Sequence, residues 1–326
     1  MRLNIKLWFA TLATCAIGMT SAHASDIYPS RPIRLIVPYP PGGLADTFSR
    51  SLAKNIGDKL KQPVIIENKP GANQVIGVES ALRAPADGYT LLLGSMTSLA
   101  TNIGVYRQLP YDPIRDFSPV SSLFSSPLIL TVRADLPAYN VEDLVTIARK
   151  NPGKTTYASL GDGGSLHLAS ELFSQAADIK LLRVPYKGSA QAINDVMGGN
   201  ITMIFDAGST VIPQVEGKRL RALAVTGDKP IPALPGIPSM KQAGYPSVDI
   251  SVWWGLVVRS GTPKPIVDTL NKAVKATLAS PEFAQPFVGY GLTIESSSPE
   301  QFGNFMREES KRWPTFMAKI GIQAQQ

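Results

Sequence analysis

Ile33-Arg34-Leu35-Ile36-Val37 runs into Pro38-Tyr39-Pro40-Pro41-Gly42-Gly43, after which Leu44, Phe48, Leu52, Ile56 and Leu60 recur every four residues. A short branched apolar run, a proline-glycine break and a helical apolar stripe read as strand, turn and helix. Downstream, Val64-Ile65-Ile66-Glu67 is a second strand, turning at Asn68-Lys69-Pro70-Gly71-Ala72. Tyr89-Thr90-Leu91-Leu92-Leu93 is a third strand, which stops at Gly94-Ser95. Strands alternating with helices predict a parallel sheet covered on both faces.

The middle of the chain repeats this grammar. Leu128-Ile129-Leu130-Thr131-Val132 is a strand, 141–150 a helix stopped by Asn151-Pro152-Gly153, and Thr156-Tyr157-Ala158-Ser159 a short strand. Gly161-Asp162-Gly163-Gly164 then leads into a helix over 165–177. Residues 201–206 and 220–225 add strands, and Pro230, Pro232, Pro235 and Pro238 mark a stiff irregular connection. Val252-Trp253-Trp254-Gly255-Leu256-Val257-Val258 is a strongly apolar strand, and helices over 265–280 and 299–320 close the chain. The expected fold is α/β with two sheet domains joined by hinge strands that cross near 123–132 and 251–258. Residues 25–124 with 252–326 form one lobe, and 125–251 form the other.

The first residues bear on compartment. Arg2 and Lys6 precede an apolar stretch over 7–19, and Ala22-His23-Ala24 is a small-x-small site. That order reads as a secretory signal peptide over 1–24; the alternative, a membrane anchor, needs about 20 apolar residues. Cys15, the only cysteine, offers a lipoprotein anchor as a minor alternative. Cleavage after Ala24 leaves a cysteine-free chain stabilised by its core. It also lowers the formal charge from +7 to +5. No cluster of Lys and Arg marks a nucleic-acid footprint, and a modest positive field draws in anions.

Ligands of open parallel sheets sit beyond the carboxyl ends of strands. Four such ends carry glycine, hydroxyl or carboxylate residues: Tyr39 to Gly43, Gly94-Ser95-Met96-Thr97, Ser159 to His167, and Asp206-Ala207-Gly208-Ser209. The first and third lead directly into helices, whose unpaired N–H groups bind anions without an arginine. Gly42, Gly43, Gly163 and Gly164 permit close backbone approach, although Gly42-Gly43 also suits a plain turn. Asp46, with Thr47 in the same opening turns of the helix, either orients a ligand or balances the helix dipole. Ser165 can cap its helix, donate to ligand, or both. Ser95 and Thr97 are ligand contacts or ordinary loop residues, and Trp253 and Trp254 favour hinge packing. His167 reads as a ligand contact or a loop anchor. With no arginine in the glycine loops, recognition falls to backbone and water unless a distant one such as Arg183 folds inward.

Catalytic and metal motifs are missing. Ser165 and His167 lie two apart at a helix start and do not face each other, and no G-x-S-x-G elbow is present. The chain has neither a phosphate loop of the G-x-x-x-x-G-K-[ST] type nor H-E-x-x-H nor a cysteine pair. No catalytic residue, metal or cofactor is expected.

Tyr28-Pro29-Ser30-Arg31-Pro32-Ile33-Arg34, Val37 to Gly43 with Asp46, Glu67 to Ala72 and Pro85-Ala86-Asp87-Gly88-Tyr89-Thr90-Leu91 resemble the tripartite tricarboxylate transporter substrate-binding proteins, or Bug family. So do Leu109-Pro110-Tyr111-Asp112-Pro113, His167-Leu168-Ala169, Val184-Pro185-Tyr186-Lys187-Gly188 and Gly261-Thr262-Pro263-Lys264-Pro265. The resemblance implies a two-lobed, periplasmic-binding-protein-like (type II) fold. It implies capture of a small carboxylate, an organic acid or carboxylated aromatic, held by loops over 39–47 and 159–167, partly through water. Asp206 falls with these strand-end positions. It further implies a periplasmic monomer that delivers its ligand to membrane permease subunits, with exported sensing as the alternative and an exported hydrolase as the remote one. Leu44-Ala45 and Gly94-Ser95-Met96-Thr97 depart from the family pattern on the pocket side, which leaves the ligand's identity open.

Overall fold

In a computed structural model, which describes residues 28–186, 188–228, 231–289, 291–322 and 324, the opening apolar run is strand β1 (Ile33–Val37). The chain continues through α1 (Leu44–Leu60), β2 (Val64–Asn68), α2 (Val75–Leu82), β3 (Thr90–Ser95), α3 (Asn102–Val105) and the long β4 (Phe117–Arg133). Next come α4 (Val141–Lys150), β5 (Thr155–Ser159), α5 (Ser165–Ala176), β6 (Leu181–Pro185), α6 (Ser189–Met197), β7 (Met203–Ala207), α7 (Gly208–Glu216) and β8 (Leu220–Val225). Finally β9 (Ser251–Arg259), α8 (Lys264–Leu278), α9 (Pro281–Val288), β10 (Thr293–Ile294) and α10 (Pro299–Lys319) complete it. The expected signal segment, with Cys15, lies outside the described residues. Among those residues no helix is long and apolar enough to cross a membrane.

The strands run β2-β1-β3-β9-β4-β7-β5-β6, with β8 and β10 also paired to β4. β1 pairs in parallel with β2 and β3, and β5 pairs in parallel with β6 and β7. β9 is antiparallel to both β3 and β4. Burial follows this order: every residue of the interior strand β3 is buried, whereas the edge strands β2 and β6 are half exposed. Central strands covered on both faces need unbroken apolar runs, which is why they were the easiest to read.

β4 belongs to both halves. Residues 117–127 pair with β9, then 128–132 pair with β7 on one side and 129–133 with β8 on the other. Register shifts interrupt the ladder between Pro119 and Ser121 and between Ser122 and Phe124. Such bulges bend and twist a strand, and they fall just before it passes into the second half-sheet. In the first half Leu35, Leu91 and Leu256 face α1 and α8, while Ile36, Leu92 and Val257 face α2 and α10. Phe48 of α1 packs at 4.0 Å on Phe124 of β4, which stacks at 4.5 Å on Trp254 of β9. That column fixes the helix behind the first glycine loop to the crossing strands.

The strand-end expectations need two corrections. Gly94 and Ser95 lie inside β3, and a π-type turn over Thr97–Thr101 follows at once, so this end is no loop. Thr97 and Gly208 start helical turns, so all four strand ends, not two, run into helices. α3, β6, α6, α7, α9 and β10 have no counterpart in the sequence pattern.

Gly255 of β9 lies under the ring of Phe302 in α10, so an added Cβ there overlaps the ring. Phe302 is fully enclosed and has nowhere to move. Gly255→Ala is expected to cost about 1–3 kcal/mol by overpacking, measured by urea unfolding, and Phe302→Leu in the same chain should restore part of it.

Candidate functional site

The first glycine loop is braced from behind. Gly42 adopts φ 88, which favours glycine, and its N–H donates to Asp46 Oδ2 at 2.9 Å. Arg50 Nε donates to the same oxygen at 2.9 Å, and Asn68 Nδ2 donates to Asp46 Oδ1 at 2.9 Å and to the Tyr39 carbonyl at 3.1 Å. Asp46 is only 3% exposed, and both its oxygens are engaged by the protein. Its part is therefore to shape the loop. Asn68 and Arg50, which sequence reading passed over, share that task. Gly43 is the N-cap of α1 without a side-chain cap, and open space lies where its Cβ would be. The first-turn N–H groups of α1 remain available to an anion. Pro40 and Thr47 are exposed.

Tyr39 points inward from this loop. Its hydroxyl accepts from Trp254 Nε1 at 3.0 Å and from Gln74 Nε2 at 2.9 Å, and burial pushes its pKa up. Gln74 Oε1 in turn accepts from Ser95 Oγ at 2.8 Å, and Ser95 Oγ accepts from the Thr97 N–H at 3.2 Å. Tyr39, Ser95 and Thr97 are thus brought together, through Gln74 and Trp254. Neither linker has a local sequence signal, because both arrive through tertiary packing.

The second glycine loop is held by His167. The Gly163 N–H donates to His167 Nδ1 at 3.2 Å, which requires the neutral ring with its proton on Nε2, 4.0 Å from Glu171 Oε1. Burial, and then the Arg183 guanidinium, lower the His167 pKa to about 4. Arg183 reaches the loop from β6, paired with Asp162 and 3.4 Å from His167 Nδ1. His167 is therefore the anchor, and Arg183, an exposed residue, lies beside it on the loop. Gly164, not Ser165, is the N-cap of α5, and no side chain caps it. The extended residue before the helix is Gly164, so Ser165 already lies in the first turn. Protein fills the space beside these glycines: a Cβ on Gly163 meets Val105 and Met317, and one on Gly164 meets the Leu160 carbonyl. The small size of Gly163 lets the second loop pack onto the first half of the chain, and that of Gly164 lets the loop fold on itself.

Ser159, the last residue of β5, and Asp206, the last but one of β7, are buried, and Ser159 Oγ and Asp206 Oδ2 lack hydrogen-bond partners. Burial raises the Asp206 pKa to about 6, against the Ser189 hydroxyl, the Ala207 N–H and the Thr210 hydroxyl. Two open cavities, of about 280 and 470 Å³, flank the crossing strands at Ser125 and Glu295 and are not lined by the glycine loops. No group of three or more His, Cys, Asp or Glu among the described residues is placed to hold a metal.

Two half-sheets joined by shared strands, each presenting an uncapped glycine-led helix at the facing strand ends, define a solute-binding receptor of the periplasmic binding-protein class. The chain belongs to the tripartite tricarboxylate transporter family receptors, whose family model matches residues 48–322. Protein BugT of Bordetella pertussis is 33% identical over 305 residues, 93% of this chain and 94% of its own. The solved periplasmic binding protein BugD is 33% identical with a TM-score of 0.80, covering 91% of this chain and 100% of its own. A protein of R. palustris solved with adipate is 32% identical with a TM-score of 0.83, again covering 91% and 100%.

Two predictions come from the braces. Asp46 titrates at about 2 because Arg50 and the other donors favour its charged form, below an unfolded value near 3.9. Its stabilisation is complete above pH 4 and disappears as pH falls toward 2. Arg50 is half exposed and its pairing is screened, so Asp46→Asn should cost about 1–2 kcal/mol at pH 7 and nothing near pH 2, read by chemical unfolding at each pH. His167 and Asp206 oppose each other at higher pH. The lowered His167 pKa removes stability as pH falls from about 6.5 to 4, while the raised Asp206 pKa removes it as pH rises from about 4 to 6. In melting temperatures across this range, Asp206→Asn should expose the acid-side loss, and His167→Gln should reverse the slope.

Proposed function

We propose that the protein captures a small carboxylated compound between residues 25–124 with 252–326 and residues 125–251, which close on it as two lobes. The observation that carries this reading is the pairing of the two uncapped helix starts, α1 after Gly43 and α5 after Gly164, at the facing ends of the two half-sheets. Each offers backbone N–H groups and a positive dipole end to an anion. Tyr39, Gly42, Gly43, Ser95 and Thr97 contribute from one side, and Ser159, Gly163, Gly164, Ser165 and Asp206 from the other, with Asp46 and His167 holding the loops. The adipate bound by the R. palustris relative supports a carboxylate ligand. Contacts from both lobes are complete only when the lobes close, so ligand shifts the open–closed balance by its differential affinity. The closed form is read by membrane permease subunits, after export directed by residues 1–24.

A thermal-shift screen of the chain from Ser25 onward against about a hundred organic acids tests this. A ligand selective for the folded state stabilises it by about 2.7 kcal/mol at a hundredfold excess over its Kd, which raises Tm by about 4 °C in a chain this long. A shift confined to one chemical series names the substrate class. If no carboxylate shifts Tm, the anion site is wrong.

A further inference from the structure

Ala72, Asn73 and Gln74 follow one another at φ 45, 46 and 75, directly after Gly71 at φ 122. A left-handed backbone is unfavourable for any residue bearing a Cβ. It persists where the surroundings impose it, with ligand clamps prominent among such places. The imposing contacts here are Tyr106, whose hydroxyl donates to the Ala72 carbonyl at 3.2 Å, and Asn102, whose Nδ2 donates to the Asn73 carbonyl at 2.9 Å. Glycine would make the same turn without steric conflict, so the backbone alone gives no reason for side chains at 73 and 74.

The placement of those side chains gives one. Gln74 is buried between the ends of β1 and β3, bonded to the Tyr39 hydroxyl and to Ser95 Oγ. A primary amide has two N–H donors and two lone pairs, and those bonds engage one of each. Asn73 Oδ1 lies 3.4 Å from where a Cβ would stand on Gly161, in the opposite glycine loop. The turn thus touches the polar cluster of one half and the loop of the other.

We propose that Asn73 and Gln74 are specificity-determining residues of the cleft. Gln74 offers its remaining donor and acceptor to the ligand, and Asn73 meets the Gly161 loop as the lobes close. An amide flanked by two hydroxyls matches a carboxylate that carries a second hydrogen-bonding group, such as a hydroxyl or a second carboxyl. This rests on the carboxylate-capture reading above.

Isothermal titration calorimetry with butyrate, malate, succinate and adipate on the wild type and on Gln74→Gly tests the proposal. Removing the side chain should reduce the preference for the polar-substituted acids over butyrate at least tenfold. The unliganded variant should melt lower than the wild type by no more than a few degrees, since the relief of the left-handed residue offsets only part of the lost bonds to Tyr39 and Ser95. Gln74→Met, which keeps the bulk and removes the amide, should give the same loss of preference, and it serves if the glycine variant does not fold. Equal weakening of every acid assigns Gln74 a merely structural role and overturns the proposal, as does an unchanged ranking. A wild type that binds none of the four, nor any acid of the thermal-shift screen, brings down the carboxylate reading, and this proposal with it.

Discussion

The structure depends on one strand that has to satisfy its backbone in two half-sheets at once. Buried N–H and C=O groups must find partners, and β4 finds them in β9 and β10 before residue 128 and in β7 and β8 after it. Its antiparallel pairing brings Ser95, at the end of β3, opposite Trp254 of β9, Trp254 opposite Phe124, and Leu128 opposite Ala207 at the end of β7. The carboxyl ends of the two parallel sets are thereby turned toward the same stretch of β4. Glycine loops that follow those ends have no other place to meet.

The two loops are held by different chemistry to the same effect. Asp46 is an anion that gathers N–H donors behind the first loop, whereas His167 is a neutral acceptor for a single N–H of the second. Each brace uses a side chain on the helix that the loop introduces, four residues beyond the braced glycine. Loop and helix start are consequently one rigid piece. Neither brace caps its helix, so the first-turn N–H groups are left for something outside the chain. By contrast α4 and α10 are capped by Asn140 and Ser298.

How legible this was in the sequence depends on the range of the forces involved. β1, α1, β3, β5 and β9 announced themselves because apolar periodicity and proline-glycine breaks are local signals. The crossing strands were visible because a segment covered on both faces must be apolar throughout. The glycine loops were found by the same local logic, but the reason for Gly163 and Gly164 was not, since Val105, Met317 and the Leu160 carbonyl come near only in the fold. What Gln74, Asn68 and Trp254 bond to gave no signal for a similar reason. Their partners lie 18 or more residues away, and nothing about an isolated Gln or Asn tells where its amide will be spent. Position 165 shows the limit within a single turn: serine is the better intrinsic cap, yet Gly164 takes the extended conformation and the cap with it.

The last helix ties the crossing strands to the second loop. Glu309 of α10, nearly buried, accepts the indole N–H of Trp253 on β9 at 2.8 Å and that of Trp313 on its own helix at 2.7 Å. Two turns further along, Met317 packs where Gly163 leaves room for it. The Trp253 bond is enclosed and charge-assisted, and such bonds are the stronger kind; the Met317 contact is dispersion alone, and methionine adapts readily to a changed surface. Any parting of the second loop from the first half of the chain therefore proceeds at the methionine and leaves the tryptophan end fixed. On the proposed lobe closure, the interface that opens would then be weaker than the hinge that guides it.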